Sequence, residues 1–382
     1  MSSLLTHFQQ RQPDMLDLLA QMVAIESPTT EPSAVNAMGD FMQGLLRDLG
    51  AGIEIDPQTE RGDHVIGRFG DANGREPILM IGHMDTVWKL GTLKDRPFTL
   101  DGERAFGPGT VDMKAGLVIM VFAMRAIKEL GLDLGRPLSV IFNSDEELKS
   151  WYSRELIFAE AKKSAYSLVF EGSQDLARFT NQRKASGRYW VEAHGVASHA
   201  GAAIDKGINA IEELSHQIQS LQAMTDLEIG TTVNVGVITG GDRPNIVPDR
   251  AKIGMSVRAA SLSEIERIDG AIKALQPKLP GAKLEIEGFF HRGVFAPVEG
   301  SEALFDALTQ AARAAGVEAE LGFAGGASDA NLTASVGTPS LDGLGAVGDG
   351  AHSIDEHILV DSLATRAAIA TDLIVRLGRL DA

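Results

Sequence analysis

Four short apolar runs in this chain are each followed by side chains that bind metal ions well. The runs are 77–82 before His83 and Asp85, 138–142 before Asp145, Glu146 and Glu147, 166–170 before Glu171, and 339–345 upstream of His352. A short apolar run bounded by turn residues is typical of a buried parallel strand. Open α/β sheets place their working residues just beyond the carboxyl ends of such strands. The sequence therefore predicts a metal site of two histidines and at least three carboxylates at one sheet edge.

The composition restricts the ligands that this site can use. The chain has 382 residues and no cysteine, which excludes disulfides and thiolate sites and leaves His, Asp and Glu as the strong ligands. A nitrogen and oxygen donor set rich in carboxylates fits zinc, cobalt or manganese, and suits a pair of ions roughly 3.5–4 Å apart. The formal net charge of −17 argues against nucleic acid and anionic membranes as partners, and is neutral about a small anionic substrate.

Two of these motifs have structural explanations when each is taken alone. A histidine that follows a strand, such as His83, is more often a loop or core residue than a ligand, although the spacing would let Asp85 orient its ring. Asp112 follows the glycine-rich stretch 107–109 and opens the next predicted helix, where it could cap the helix or bridge two metal ions. These residue types alone do not decide between a structural role and a metal site.

The remaining candidates leave two choices open. Residues 145–147 are three adjacent carboxylates, a pattern that is common in surface turns. Adjacent side chains at a strand end point differently, so one could bind metal while its neighbour accepts a proton from water. His352 lies in a polar glycine-rich loop, where His357 competes with it as a ligand. The motifs become specific in combination, because every structural explanation would have to hold independently.

The elements that would position these side chains indicate an α/β protein. Helices are predicted over 14–49 with a break at 27–30, and over 113–130, 206–223, 262–277, 301–315 and 361–379. Strands are predicted over 53–56, 64–69, 77–82, 138–142, 166–170, 189–193, 231–238, 251–257, 284–290 and near 339. Buried strands that alternate with helices indicate a largely parallel sheet with helices on both faces.

The order of elements also predicts two domains. Residues 1–181 and 293–382 have the parallel-sheet pattern, whereas 182–292 have the antiparallel alternation of a separate α+β domain inserted into the first. The chain shows no apolar stretch of membrane-spanning length and no export signal at its start, which predicts a cytoplasmic protein.

In this order, the motifs resemble the co-catalytic dizinc peptidase family of glutamate carboxypeptidases, acetylornithine deacetylase, succinyl-diaminopimelate desuccinylase and aminoacylases. The resemblance covers nearly the whole chain, through IGHMDTV, GPGTVDMKAG, NSDEEL, VFEGS, GVASHAGAA, GGASDA and GAHSIDE. FNSDEE, SHAGAA and NIVP are most similar to the bacterial folate-cleaving glutamate carboxypeptidases. The resemblance implies a two-zinc aminopeptidase-like (phosphorylase/hydrolase-like) catalytic domain, with the inserted domain forming the interface of a homodimer.

The resemblance also implies a role for each metal-site residue. It implies two Zn²⁺ ions per chain, for which Co²⁺ or Mn²⁺ could substitute. His83 and Glu171 would bind one ion, Glu147 and His352 would bind the other, and Asp112 would bind both. Glu146 would then be the general base of catalysis, and Asp85 would orient His83.

Substrate-binding residues follow from the same resemblance. His199 of the SHAG stretch would reach the partner's active site and stabilise the oxyanion, and Asn245 would contact substrate. Arg292, or Arg258 as the nearby alternative, would hold the terminal carboxylate of the substrate, although either arginine could equally form a surface or hinge ion pair. Gly326 belongs to a backbone segment that would line the pocket.

The implied function is hydrolysis of an amide bond that releases a C-terminal glutamate, or a similar amino acid, from an N-acyl, N-aroyl or peptidyl substrate. The alternatives are an N-acyl amino acid deacylase or desuccinylase of the same family, and a catalytically weak metal-binding homologue. A GxGxxG match at 343–348 is followed by a poor helix start, which disfavours a dinucleotide site.

One residue departs from the family pattern. Lys149 stands two places after the metal-binding Glu147, where the family has a small residue, mostly glycine. A cation there could weaken the second metal, hold an anionic substrate or point to solvent.

Overall fold

The computed structural model describes residues 3–71 and 74–380. Its α-helices are α1 (Ser3–Ala24), α2 (Pro32–Leu49), α3 (Ala115–Glu129), α4 (Arg154–Ala161), α5 (Ala210–Gln222), α6 (Leu262–Lys273), α7 (Ser301–Ala314), α8 (Ala330–Ser335) and α9 (Ser362–Arg379). Its strands are β1 (Gly52–Asp56), β2 (His64–Phe69), β3 (Ile78–His83), β4 (Thr99–Asp101), β5 (Arg104–Phe106), β6 (Leu138–Asn143), β7 (Tyr166–Val169), β8 (Arg178–Arg183), β9 (Ala185–His194), β10 (Ser198–His199), β11 (Thr232–Gly240), β12 (Ile246–Val247), β13 (Arg250–Ala259), β14 (Lys283–Arg292), β15 (Glu320–Ala324), β16 (Ser340–Leu341), β17 (Gly348–Asp349) and β18 (His357–Leu359).

The chain forms two compact units. The first consists of the described residues of Met1–Gln182, Ala296–Ala324 and Ser328–Ala382, and the second of Arg183–Phe295 and Gly325–Ala327. Arg183 pairs with Phe295 where the second unit begins and ends. The insertion predicted for 182–292 falls in this region, and its role in dimerisation stays a prediction.

The first unit is built on a mixed six-stranded sheet in the order β1-β2-β6-β3-β7-β16. Strands β6, β3, β7 and β16 run parallel, whereas β1 and β2 form an antiparallel edge. Strands β3 and β6 are buried along their whole length, as their mostly apolar sequences predict for a covered sheet. This arrangement confirms the predicted α/β class.

Helices with broad apolar faces cover this sheet. Helix α3 is apolar on almost every side and almost completely buried, and it packs with α1 and α9 into the main core. Among the described residues no helix has both the length and the apolarity that a bilayer crossing requires. The cytoplasmic location stays a prediction.

A second, four-stranded sheet in the first unit was not predicted from the sequence. Its order is β17-β18-β5-β4, and all of its pairs are antiparallel. Its strands have only two or three residues each, too few to show an alternating pattern. The turn between β17 and β18 carries His352.

The second unit is an antiparallel sheet in the order β11-β13-β9-β14 with α5 and α6 against its apolar face. Along β9 buried residues alternate with exposed or partly exposed ones, as expected for a half-covered sheet. The predicted start of the helix at 206 is wrong. Asn209 caps α5 by accepting hydrogen bonds from the amides of Ile211 and Glu212, so the helix begins at Ala210.

Glu160 of α4 is a buried ion-pair partner that links this helix to the sheet. It accepts hydrogen bonds from Arg68 at 3.0 Å and from Ser139 at 2.9 Å. Burial alone would raise the pKa of Glu160, but the bonds from Arg68 outweigh burial and lower the pKa to about 2. Because the pKa is depressed in the folded state, the pair stabilises the protein above the unfolded pKa and loses that contribution as the pH falls towards the folded value.

We expect Glu160→Gln to lower the free energy of unfolding by about 1–2 kcal/mol near neutral pH, since Arg68 is partly exposed and solvent screens the pair. The difference from the parent protein should shrink as the pH falls from about 4.5 to about 2. Urea unfolding at several pH values measures this, with the exposed Glu155→Gln on the same helix as the control. A difference that does not change with pH would contradict the assignment.

Candidate metal centre

Two histidines and three carboxylates of the first unit converge around Asp112. His83 Nε2 lies 3.0 Å from Asp112 Oδ1 and 3.9 Å from Glu171 Oε1. His352 Nε2 lies 3.2 Å from Asp112 Oδ2 and 3.1 Å from Glu147 Oε2. Each carboxylate oxygen of Asp112 therefore faces a different histidine. The five residues form two adjoining groups of potential metal ligands that share one carboxylate.

Three of these potential ligands are placed by strand ends. His83 is the last residue of β3, Glu147 lies in the turn after β6, and Glu171 follows β7. The three strands are parallel neighbours, so their carboxyl ends meet at one edge of the sheet. The structure therefore brings these three side chains to one sheet edge, as the strand pattern predicts, and their roles as metal ligands stay predictions.

His352 reaches the site by a different route from the predicted one. The run 339–345 contributes only the short strand β16, and His352 lies well beyond it in the β17–β18 turn. The residue has a φ of 64°, in the left-handed region that few side chains other than Asn, Asp and His adopt readily. His357, the competing candidate, lies on β18 with Nδ1 2.7 Å from the carbonyl oxygen of Asp355, outside both ligand groups.

Asp112 does not open or cap the helix that follows it. Its φ of −123° and ψ of 89° are not helical, the peptide bond to Met113 is cis, and α3 begins only at Ala115. The expectation that Asp112 starts the helix is wrong, because the chain turns between Gly109 and Lys114 before the helix begins. The turn directs the carboxylate of Asp112 to both histidines.

The donor set fits a pair of divalent cations. Burial and the charge of Asp112 raise the pKa of Glu171 well above its usual range, and burial raises the pKa of Glu147. The Oε1 atom of Glu147 is buried and accepts no hydrogen bond from the described residues. Buried carboxylates crowded in this way need compensating positive charge, which metal ions supply.

The histidines also have the electrostatic environment of ligands held beside anions. Burial alone would lower the pKa of His83, but contacts with Asp112 and Asp85 outweigh burial and raise the pKa well above its usual value. Hydrogen bonds to Asp112 and Glu147 raise the pKa of His352 to about 10. Metal ions would therefore replace protons when they bind to this site.

Asp85 has a wider role in the site than the expected one. The ring of His83 contacts the backbone carbonyl oxygen of Asp85 at 2.9 Å, closer than its carboxylate at 3.4 Å. The carboxylate accepts the amide N–H groups of Glu146 and Glu147, each at 3.2 Å, and the hydroxyl of Thr29 at 2.7 Å. Asp85 thus orients the histidine mainly through its backbone and fixes the turn of the two glutamates through its side chain.

The three adjacent carboxylates 145–147 point in different directions. Asp145 accepts the amide of Tyr152 at 2.7 Å and the hydroxyl of Ser153 at 2.6 Å, which gives it a structural function within its own loop. The carboxylate of Glu147 contacts the ring of His352. Glu146 is buried, and its charge contributes to the raised pKa of Glu171. Only Glu146 of the three lies near the ligands without belonging to either ligand group.

Asp329 anchors the same loop from the GGASDA segment. Its carboxylate accepts hydrogen bonds from Ser150 at 2.5 Å and from Asn143 at 2.8 Å. The preceding Ser328 donates to Asp342 at 2.5 Å. Asp329 therefore supports the metal-site loop of the first unit, whereas Gly326 belongs to the second unit, where its carbonyl oxygen accepts a hydrogen bond from Arg183.

The backbone explains why a glycine suits the position of Lys149. Lys149 has a φ of 76° and ends the short turn that carries Glu146 and Glu147. A left-handed backbone costs an L-residue with a side chain roughly 1–2 kcal/mol, a cost that glycine avoids. The departure from the family pattern therefore places strain at the metal-site loop.

We expect Lys149→Gly to raise the free energy of unfolding by a net amount of about 1 kcal/mol. The relief of left-handed strain contributes roughly 1–2 kcal/mol, and the conformational entropy of glycine opposes it by roughly 0.5–1 kcal/mol. Urea or thermal unfolding measures the change. Lys162 is the matched control, since it ends helix α4 with a right-handed φ of −60°, where glycine brings no relief. A loss of stability in Lys149→Gly equal to that in Lys162→Gly would contradict the strain argument.

The predicted substrate residues all lie in the second unit. His199 is exposed on β10, opposite Ile246 of β12, and the carbonyl oxygen of Asn245 accepts the amide of Ala200 at 3.0 Å. Arg258 of β13 and Arg292 of β14 are both cross-strand partners of Ser186. The second unit thus groups His199 with Asn245, and Arg258 with Arg292.

Sequence reasoning missed two features of the described residues. Glu192, His194 and Glu285 form a third group with potential ligand atoms on the sheet of the second unit. Arg250 and Lys252 each lie 3.7 Å from Glu192, so cations of the chain already compensate its charge. The second missed feature is Glu356 of the HSIDE motif, a buried carboxylate that contacts the Asp112 turn. Its closeness in sequence to His352 was the one sign that could have pointed to it.

The sequence profile of peptidase family M20/M25/M40 matches residues 79–376, which include every potential ligand in both groups. The chain belongs to this family. The resemblance seen in the motifs is therefore confirmed, and the protein is a metal-dependent peptidase, a hydrolase.

Three family members illustrate the relationship. Carboxypeptidase G2 of Pseudomonas sp. (strain RS-16) is 32% identical over 391 residues, which cover 96% of this chain and 90% of that protein. Acetylornithine deacetylase of Erwinia tasmaniensis is 26% identical, over 69% of this chain and 73% of that enzyme. The YXEP protein of Bacillus subtilis, a dinuclear metal-binding peptidase, shares the fold with a TM-score of 0.70 at 13% identity, over 97% of this chain and 99% of that one.

We expect removal of metal to lower the thermal stability of this M20 peptidase. A ligand that binds only the folded state adds roughly 3–4 kcal/mol at 100–1,000 times its Kd, and without it the carboxylates of Asp112, Glu147 and Glu171 repel one another. Calorimetry before and after treatment with a strong chelator measures the change, and added zinc should restore the original Tm. A melting curve that the chelator leaves unchanged would contradict this expectation.

Proposed function

We propose that the protein is a dizinc carboxypeptidase that releases a C-terminal glutamate, or a similar amino acid, from an N-acyl, N-aroyl or peptidyl substrate. The observation that carries the proposal is the carboxylate of Asp112, whose two oxygens each face the histidine of a separate ligand group. The 32% sequence identity to carboxypeptidase G2, over 96% of this chain, supports the choice of substrate class. Zinc is the proposed metal because the donor set is nitrogen and oxygen, and cobalt or manganese would fit the same ligands.

In the proposed site, His83 and Glu171 hold one ion, Glu147 and His352 hold the other, and Asp112 is shared. Bound divalent ions would lower the pKa of the attacking water and polarise the amide carbonyl.

Glu146 is the proposed general base. Its backbone is held by the carboxylate of Asp85, and its side chain is buried beside the ligands but belongs to neither group. Glu146 would take the proton of the attacking water, hold it on its carboxylate and deliver it to the leaving amine. The short turn after β6 keeps this base next to the ligand Glu147.

His199 is suited to stabilise the oxyanion that develops on the carbonyl oxygen. Its Nδ1 accepts the amides of Gly201 and Ala202, both at 3.1 Å. A neutral ring with Nδ1 as acceptor carries its proton on Nε2, which leaves Nε2–H free to donate. Such a preorganised donor is what an oxyanion requires.

His199 would act across a homodimer, donating from one protomer to the active site of the other. Strand β11 supports a dimer, because it is an edge strand of the second unit and exposes Val237 and Ile238. An exposed apolar edge strand can pair with the same strand of a second copy. Size-exclusion chromatography with light scattering tests this, and a monomer at micromolar concentration would contradict it.

The arginines of the second unit support a substrate with a free carboxylate. Burial and the like charges of Arg188 and Arg292 lower the pKa of Arg258, so positive charges on three neighbouring strands act on one another here. Such a concentration of positive charge in an acidic chain favours an anionic ligand, and an arginine can bind a carboxylate through two hydrogen bonds. Arg292 or Arg258 would hold the terminal carboxylate, and Asn245 and Gly326 would contact the rest of the substrate.

A substrate panel tests this function. The zinc-loaded protein should release glutamate from an N-aroyl glutamate and act poorly on the matching α-carboxamide, and the activity should stop with chelator. The panel also includes an N-acyl ornithine, because the relation to acetylornithine deacetylase makes a deacylase the second candidate. Preference for that substrate would favour the deacylase, and no turnover of any compound would favour a catalytically weak homologue.

A further inference from the structure

Glu356 is a completely buried carboxylate that binds the turn containing Asp112. Its Oε2 accepts the amide of Gly109 at 2.9 Å, and its Oε1 accepts the amides of Val111 at 3.1 Å and Asp112 at 3.2 Å. The indole N–H of Trp88 donates to Oε2 at 2.8 Å. Four hydrogen-bond donors thus converge on one side chain, three of them from a single turn.

The turn needs such an acceptor because its own backbone hydrogen bonds, from Thr110 to Gly107 at 3.2 Å and from Lys114 to Gly109 at 2.9 Å, use other amides than the three that Glu356 binds. The backbone at Asp112 is not helical, so a helix cannot satisfy these amides, and a buried amide without a partner costs free energy. A carboxylate accepts several N–H groups at once, whereas an amide side chain would present its own N–H groups to some of the same donors.

Glu356 also ties the turn to the loop of His352. Only three residues separate the two in sequence, and Glu356 directly precedes β18, whose pairing with β5 and β17 fixes the loop. Gly107, at the start of the turn, donates to the backbone carbonyl oxygen of Glu356 at 3.4 Å. One residue therefore binds the turn that carries Asp112 and stands four positions after His352 in the chain.

We propose that Glu356 is a positioning residue, which sets the place of the Asp112 carboxylate between the two ligand groups and thereby determines the affinity for both metal ions. It acts through the backbone of the turn and touches neither substrate nor metal. The proposal rests on the dinuclear site of the proposed function. Mutation of outer residues that orient ligands typically weakens metal binding about 10–100-fold.

Glu356→Gln tests the proposal, and Glu213→Gln is its matched control. Glu213 is also fully buried, and its carboxylate accepts the amides of Lys278 and Leu279 in the second unit. Both substitutions replace a buried carboxylate that accepts backbone amides, so both should lower the Tm. Only Glu356→Gln should weaken zinc binding, about 10–100-fold in competition with a chromophoric chelator. It should also change the visible absorption bands of the protein loaded with Co²⁺.

Zinc affinity and the Co²⁺ spectrum of the variants also define the results that would overturn the proposal. Zinc affinity within twofold of the parent and an unchanged Co²⁺ spectrum in Glu356→Gln would reduce Glu356 to a structural residue. If Glu356→Gln does not fold, Trp88→Phe removes one donor to the same carboxylate, and we expect it to weaken zinc binding at least threefold. Unchanged binding in that variant would contradict the proposal. If the parent protein itself bound no zinc, the dinuclear site of the proposed function would fail first.

Discussion

Replacement of Glu146 by glutamine will lower kcat by roughly 10²–10⁴-fold, because a positioned general base contributes about that much to a proton-transfer step. Glutamine keeps the size of the side chain but cannot take a proton from water. Glu146 belongs to neither ligand group, so the metal content should stay at the parent value. Steady-state kinetics on an N-aroyl glutamate, together with metal analysis of the same sample, measures both quantities.

Glu155→Gln is the control for this substitution, since Glu155 is an exposed glutamate on the next helix and should leave kcat unchanged. Near-normal turnover in purified Glu146→Gln would remove Glu146 from the role of base. Loss of zinc from that variant would instead place Glu146 among the ligands.

Asp112→Asn should remove both metal ions and with them all measurable turnover. The side chain is the only member common to the two ligand groups found among the described residues, and an amide presents one oxygen where the carboxylate presents two. Glu147→Gln and Glu171→Gln should each weaken the binding of one ion only, because each residue belongs to one group. Inductively coupled plasma mass spectrometry after equilibrium dialysis against zinc gives the number of ions per chain.

The third group of potential ligands supplies a matched control for this experiment. His194→Asn alters a histidine beside Glu192 and Glu285, and Arg250 and Lys252 help to compensate the charge of Glu192. We therefore expect it to leave the zinc content unchanged. A loss of zinc in His194→Asn would show a metal site in the second unit, and two ions retained by Asp112→Asn would contradict the shared carboxylate.

The convergence of the candidate residues at the strand ends could be predicted from the sequence because their positions are encoded locally. The apolar runs of β3, β6 and β7 can be recognised without tertiary information, and His83, Glu147 and Glu171 lie at the strand ends or within four residues of them. Parallel neighbours in a sheet then bring these ends together. The α/β class and the change to antiparallel strands in the second unit follow from the same kind of pattern.

The other parts of the site depend on contacts that no local pattern reveals. His352 is placed by β17 and β18, which are too short to show a period, and β18 is held by pairing with β5. The helix-cap preference of aspartate indicated that Asp112 begins a helix, but hydrogen bonds from its turn to Glu356 override that preference. Left-handed backbone at Lys149 is likewise invisible in a sequence that has a lysine there.

Diffraction from crystals of the zinc-loaded protein, with anomalous data at the zinc edge, tests the central claim most directly. We predict two peaks roughly 3.5–4 Å apart, with the carboxylate of Asp112 between them. His83 and Glu171 should ligate one ion, and Glu147 and His352 the other. A single ion, or two ions away from Asp112, would contradict the account.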